Sequence, residues 1–320
     1  MKPGNQIVTI DFLLLGFAFH GKMQVLFFTL ISIAFLASLI GNSLTVVITA
    51  TDPVLHVPMY YSLKNLALTE ICYSLSIIPK MLTILLVEGK IISFTACALQ
   101  LNCIILFVTC ECFLLGAMAC DWQVAICHPL HYATTMNRDR CVRMALGSWL
   151  SGAPVALGFT AWLFSLPFSG RNTTDNFFCD VFPVLKLVCA DTALFELLIF
   201  IAVVVIVMIP FSLIATSYLH IIHAVLHILS AVGQRQPFST YAAHLVVVAL
   251  FYSTAGIIHL QPKGSLSSSI KKMVSLSYTA VTPMLNPIIY SLRNQEFKQS
   301  LRRCTGKWLL RKQVTVFSLS

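Results

Sequence analysis

The stretch "CALQLNCIILFVTCECFLLGAMAC", residues 97–120, decides the fold. It is long enough for the about 20 helical residues that cross a ~30 Å hydrocarbon core, and Glu111 is its one charged residue. The run then meets "DWQVAIC", residues 121–127, which sets the acid Asp121 at its edge with no cation beside it. Similar apolar runs recur along the chain. Of 320 residues 58% are hydrophobic and 10% charged, with mean hydropathy +0.84. Water-soluble domains carry about 25% charged residues, so this chain lacks the polar surface to face water on all sides.

Seven spans are predicted, at 24–50, 58–86, 97–120, 142–166, 196–222, 239–261 and 272–292. Polar or turn-forming stretches separate them, among them "TDPVLHVP", "HYATTMNRDR", "SGRNTTDN", "GQRQP" and "QPKGSLSSS". A strand-built barrel would show short alternating segments instead. The expected fold is an all-α membrane protein, a seven-transmembrane helix bundle. The start, "MKPGNQIVTID", is polar, and the first apolar run is too long for a cleavable signal, so it reads as an uncleaved signal-anchor.

Charge sets the orientation. Arg138, Arg140 and Arg143 follow span three. The tail carries Arg293, Lys298, Arg302, Arg303, Lys307, Arg311 and Lys312 against Glu296. Both groups lie on one side of a seven-span chain, and the positive-inside rule makes that side cytoplasmic. Lys263, Lys271 and Lys272 run against the bias. The long loop 167–195 balances Arg171 and Lys186 with Asp175, Asp180 and Asp191. The chain thus divides into an extracellular amino terminus over 1–23, a bundle over 24–292 and a cytoplasmic tail over 293–320. The net charge of +9 does not indicate nucleic acid: the cations sit in loops and tail, with no aromatic ladder for stacking bases.

Most of the 11 cysteines lie inside spans, where a thiol acts as a small apolar filler. Cys97, Cys179 and Cys189 are expected on the oxidising exterior. A Cys97–Cys179 bridge would pin the long loop over the bundle and leave Cys189 over; three free thiols are the alternative. Asn172 opens a glycosylation sequon, "NTT", on the same loop. Cys304, beside Arg302 and Arg303, has the juxtamembrane setting that permits palmitoylation.

Carboxylates within a membrane cost roughly 2.5–3.5 kcal/mol each on insertion scales, which makes Glu70 and Glu111 candidates for the bundle interior. If they face each other they cannot both stay ionised alone. A Na⁺ ion between them is one solution, and protonation with hydrogen bonding is the other. Cys110 and Cys112 flank Glu111, but alternate residues do not share a helix face, so no chelate follows. Asn42 in "LIGNSLTVVI" is a further polar residue in an apolar run. Asn286 precedes Pro287, which breaks the helical ladder and predicts a kink in span seven. No nucleotide-binding glycine loop or catalytic constellation is present, so no enzyme is expected.

Four stretches then carry a resemblance: "LHVPMYYSLKNLALTEICYSLSIIPKML", "MACDWQVAICHPLHY", "FSTYAAHLVVVALFY" and "PMLNPIIYSLRNQEF". Together, in this order, they resemble the motifs of vertebrate olfactory receptors, a branch of the rhodopsin-like G-protein-coupled receptors. The resemblance runs from "DFLLLGF" near residue 11 to the tail. It implies a plasma-membrane receptor for small volatile odorants, coupled to a stimulatory G protein of the olfactory type. It matches Cys97 and Cys179 to the family's span-three-to-loop disulfide, and Glu70 and Glu111 to its acidic sodium positions. Asn286, Pro287 and Tyr290 match its activation switch, and Arg293 to about Arg303 its amphipathic helix on the inner leaflet.

Helical spacing puts Ile104, Val108 and Cys112 on one face of span three, with Ile105 alongside. Analogy with the family adds Val203, Val207, Tyr252, Ala255, His259 and Tyr278 to the expected ligand contacts. Such a cavity would be largely apolar, oriented by Tyr252, His259 and Tyr278.

Three departures from the family pattern stand out. Ser169 replaces the usual loop cysteine, leaving Cys189 without its mate. The usual amino-terminal sequon is missing. Where the family reads "MAYDRYVAIC", this chain reads "MACDWQVAIC", so Trp122 and Gln123 replace an arginine and a tyrosine at the G-protein-coupling face. Tryptophan offers one donor and no cation. Asp121 is therefore expected to lose its partner, and coupling to be weak or absent. The competing readings are a receptor relative that no longer signals and a transporter; the latter calls for internal repeats, which the two halves lack.

Overall fold

The computed structural model describes residues 11–16, 21–86, 91–168, 172–227, 244–254, 268–293 and 296–304. The main helices are α1 (Lys22–Thr51), α2 (Pro58–Leu86), α3 (Phe94–Cys127), α5 (Arg138–Ser165), α7 (Ala193–Leu226), α8 (His244–Thr254) and α9 (Ser268–Arg293). Shorter ones are α4 (Tyr132–Thr135), α6 (Val181–Leu185) and α10 (296–304). Among the described residues α1, α2, α3 and α7 are each long and apolar enough to cross a membrane. α3 continues past the predicted end of span three, so Asp121, Trp122 and Gln123 are helical.

α1 shows how the bundle inverts the pattern of a soluble helix. Its inward stripe is Ile31, Ser38, Asn42, Thr45, Ile48 and Thr49, spaced by about one or two turns. Ile33, Leu36, Ile40, Leu44 and Val47 point outward and are exposed, as lipid contact requires. Small and polar residues bring membrane helices together, since lipid is as apolar as leucine. Two glycines mark the closest crossings. A Cβ on Gly41 would lie 2.8 Å from Pro287 Cγ in α9, and one on Gly152 in α5 would lie 3.0 Å from the Leu106 carbonyl of α3. α3 is central, packing on α2, α5 and α7, while α1 closes against α2 and α9.

Pro287 lies inside α9, and the carbonyl it frees has a specific partner. Pro287 has no N–H, so it frees the carbonyl four residues back, that of Pro283. The Asn42 amide of α1 donates to this carbonyl at 3.0 Å.

One end of the bundle is roofed by a small sheet the hydropathy pattern did not announce. β1 (Phe12–Leu14) pairs antiparallel with β2 (Ile91–Ile92) and parallel with β3 (Thr173–Thr174). Phe12, fully buried, sits among Phe94, Phe164 and Phe168 with ring centroids 5.5–6.4 Å away. Cys97 and Cys179 are disulfide-bonded beneath this roof. Gln100 links the same loop to α2: its Nε2 donates to the Ser76 carbonyl, and its Oε1 accepts from the Cys179 amide, each at 2.9 Å.

Candidate functional site

Glu70 and Glu111 meet in mid-bundle, both buried, with their carboxyl groups in hydrogen-bonding reach of one another. α9 completes the cluster. Asn286 Nδ2 donates to Glu70 Oε1, and the Tyr278 hydroxyl donates to Glu111 Oε2 at 3.3 Å. Tyr73 and Thr279 pair alongside at 3.5 Å. Glu111 Oε1 and Asn286 Oδ1 are buried with no hydrogen-bond partner among the described residues. Two facing carboxyls need a proton or a cation between them. An orphaned carboxyl oxygen beside an orphaned amide carbonyl is the oxygen donor set that a small hard cation takes.

The opposite end of α3 corrects one expectation. Asp121 does not lose its partner: its Oδ1 accepts from the Tyr132 hydroxyl of α4 at 3.1 Å, while Oδ2 is buried without a partner among the described residues. Burial, followed by the adjacent Asp121 carboxylate, raises the Tyr132 phenol above its ordinary value, so it remains a donor. Trp122 is also not on the surface. It is 3% exposed and presents its ring to His244 of α8, with centroids 4.5 Å apart and planes at 78°. His244, fully buried, shares a 2.7 Å hydrogen bond through Nδ1 with the Tyr218 hydroxyl of α7. Gln123 is half-buried.

Past the end of α9, α10 packs Phe297 inward and ties itself to α1 and α2. Arg303 pairs with Asp52 at 2.9 Å, and the Tyr60 hydroxyl donates to Glu296 at 3.1 Å. The Ser300 hydroxyl, the Val54 amide and Arg303 together hold the Asp52 carboxyl below its usual range. Arg293, expected to open this helix, ends α9 instead.

The sequence model of the olfactory receptor family matches residues 31–308. The human protein "Olfactory receptor 10A7" is 47% identical over 96% of this chain and 98% of its own length. The human "Olfactory receptor 10A5" is 48% identical over 97% and 98%, and the human "Olfactory receptor 10A2" 50% identical over 89% and 94%. The chain belongs to the olfactory receptor family. It is accordingly a seven-transmembrane G-protein-coupled receptor of the odorant class and a multi-pass plasma-membrane protein, and its family is one of receptors rather than enzymes.

In this receptor the expected ligand contacts fall into two sets. Ile104, Val108 and Tyr252 are half-buried against the main apolar core, in which Cys112 and Tyr278 are buried. Ile105 and Val203 pack against a second core around Cys97, Cys179, Phe195 and Ile199. Val207 is half-buried on α7. The Tyr252 hydroxyl is buried without a partner among the described residues, whereas the Tyr278 hydroxyl is engaged by Glu111. Ala255, His259, Ser169 and the side chain of Tyr290 lie outside the described residues. Asn172 is exposed, and its side-chain amide donates to the Asp11 carbonyl at 3.0 Å. Cys189 is free and exposed.

Sequence reasoning missed Tyr132, Tyr218, His244 and Gln100. Tyr132 and His244 lie in quoted motifs, Gln100 in the opening stretch and Tyr218 in none of them, and none is unusual for its local sequence. Only a partner on another helix gives it a role.

Proposed function

We propose that the receptor binds a small, mostly apolar volatile molecule between the two apolar cores, and that it couples weakly to an olfactory-type stimulatory G protein. The amino terminus lies outside over 1–23, the bundle spans 24–292, and the tail 293–320 lies in the cytosol. The ligand contacts proposed are Ile104, Ile105, Val108, Cys112, Val203, Val207, Tyr252, Ala255, His259 and Tyr278. The half-burial of Ile104, Ile105, Val108 and Val203 and the unused Tyr252 hydroxyl support this seat. An apolar pocket with a few orienting polar groups suits volatile ligands.

The observation that carries weak coupling is the tryptophan at the family's arginine position, which supplies no cation there and is buried against His244 rather than presented at the surface. Asp121, Trp122 and Gln123 form the altered coupling face, with Asn286, Pro287 and Tyr290 as the moving part. Glu70, Glu111 and Asn286 would hold a Na⁺ ion, which supplies charge compensation between the carboxyls. Asn172 is the proposed glycan site, supported by its exposure.

The test is cAMP output in cells exposed to an odorant panel, normalised to surface staining. The Trp122→Arg, Gln123→Tyr double variant should give the larger odorant response; equal output from both forms overturns weak coupling. No response from either form favours the silent-relative reading. Sodium dependence that survives Glu70→Ala removes the ion site.

A further inference from the structure

We propose that Trp122 is an aromatic clamp that shuts the inner mouth of the bundle by holding α8 and α7 against α3. The role proposed above for this position is a missing cation. The clamp is a positive function of the ring that is present, and its consequence for signalling rests on the coupling reading.

Three contacts build it. The Trp122 ring, 3% exposed, meets the buried His244 at 4.5 Å in an edge-on arrangement. His244 stacks on Tyr218 with centroids 5.9 Å apart and planes at 19°, and the two share the 2.7 Å hydrogen bond. Tyr218 is itself 6% exposed, one residue from Ser217, whose hydroxyl donates to Cys120 Sγ at 3.9 Å. The chain of contact therefore runs α3–α8–α7 and returns to α3 within one helical turn of Trp122.

The chemistry favours a closed state. Edge-on aromatic pairs attract through their quadrupoles, beyond the area they bury. A tryptophan also fills volume with a mostly apolar ring, so opening this end exposes that ring as well as the partners it covers. His244 Nδ1 and the Tyr218 hydroxyl satisfy each other inside the cluster, which removes one penalty for keeping that pair of atoms dry. A guanidinium at residue 122 would act oppositely, since a buried unpaired cation is pulled toward water.

Cys120 and Cys189 supply a readout that needs neither odorant nor G protein. Cys120 is half-buried beside Ser217 at the inner end, whereas Cys189 is exposed on the long loop and far along the chain from the clamp. The full-length receptor in lipid nanodiscs is labelled with a charged maleimide, and the rate at each cysteine is read by peptide mass spectrometry. Trp122→Ala and His244→Ala should each speed Cys120 labelling by about fivefold to tenfold, the scale of one lost aromatic contact. Trp122→Phe, which keeps a ring, should stay within about twofold of the parent. Cys189 should label at one rate throughout. A Trp122→Ala rate equal to the parent's at Cys120 overturns the clamp and leaves the weak-coupling reading standing. If Trp122→Ala also changes Cys189 or loses the disulfide, Trp122→Phe against Trp122→Leu decides: slower labelling with Phe supports the clamp, and equal rates overturn it. Failure of the receptor to answer any odorant has no bearing on these rates.

Discussion

The two ends of this receptor are closed by different chemistry. At the roofed end a disulfide, a three-stranded sheet and backbone hydrogen bonds such as Leu13 N–H to the Asn172 carbonyl at 2.7 Å hold the loop. Lys272, a cation on the side that the charge rule leaves poor in them, is also used there, paired with Asp175 and donating to the Gly16 carbonyl at 2.8 Å. At the other end, closure depends on side chains: Trp122 on His244, Tyr132 on Asp121, Arg303 on Asp52. Backbone pairing and a covalent bond tolerate most substitutions nearby. A side-chain closure is changed by a single residue, so the end opposite the roof is where one substitution can retune function without unfolding the bundle.

The most severe way to break this contrast is Cys179→Ser. The bridge spans 82 residues of sequence. In the chain-entropy account a closed loop of that size is worth roughly 4–5 kcal/mol, so thermal stability and surface staining should fall sharply. Stability close to the parent's would show that the sheet alone suffices.

Next in size is Asn42→Ala in the middle of the bundle. It orphans the Pro283 carbonyl, and a buried acceptor without its donor costs about 1–3 kcal/mol. Adding Pro287→Ala gives that carbonyl an intrahelical donor again. The cost of Asn42→Ala, measured by thermal unfolding, should shrink in that background.

At the end opposite the roof, Tyr132→Phe leaves Asp121 with neither oxygen bonded among the described residues and should destabilise by about 1–2 kcal/mol. Hydrogen exchange of 121–135 reports it: faster exchange is expected there, with the roofed end unchanged. Equal changes at both ends would dissolve the distinction drawn here.

The smallest effect concerns α10. Asp52 titrates below the usual carboxylate range, so its contribution to docking is present above that range and is lost as pH falls through its lowered value. The protection factors of 296–304, with the intrinsic pH dependence of amide exchange divided out, should be constant from neutral pH down to about pH 5 and fall below about pH 4, near the unperturbed aspartate value. Arg303→Ala should raise the exchange of 296–304 at neutral pH. No rise would assign the docking to Phe297 and the Tyr60–Glu296 hydrogen bond.

The spans were legible because lipid demands a local property, about 20 apolar residues in a row, that a window of sequence reveals. Family membership was legible because four long motifs stand in order. The placement of Glu70 and Glu111 inside the bundle followed from the cost of a carboxylate in hydrocarbon. By contrast, β1 carries three residues of unremarkable composition, and its partners lie far away in sequence at 91–92 and 173–174. The partner of Asp121 was misjudged because neighbours along the chain were considered, while Tyr132 reaches it across a turn.

By itself the sequence determined that this chain is a membrane-embedded helix bundle of the olfactory receptor family, because hydropathy and motif order are read residue by residue. Only the tertiary structure decided which helix answers each polar or aromatic side chain: Asn42 for the freed carbonyl of α9, Tyr278 for Glu111, His244 for Trp122. These pairings lie more than 100 residues apart along the chain, and nothing local to either residue encodes the distance between them once the helices pack.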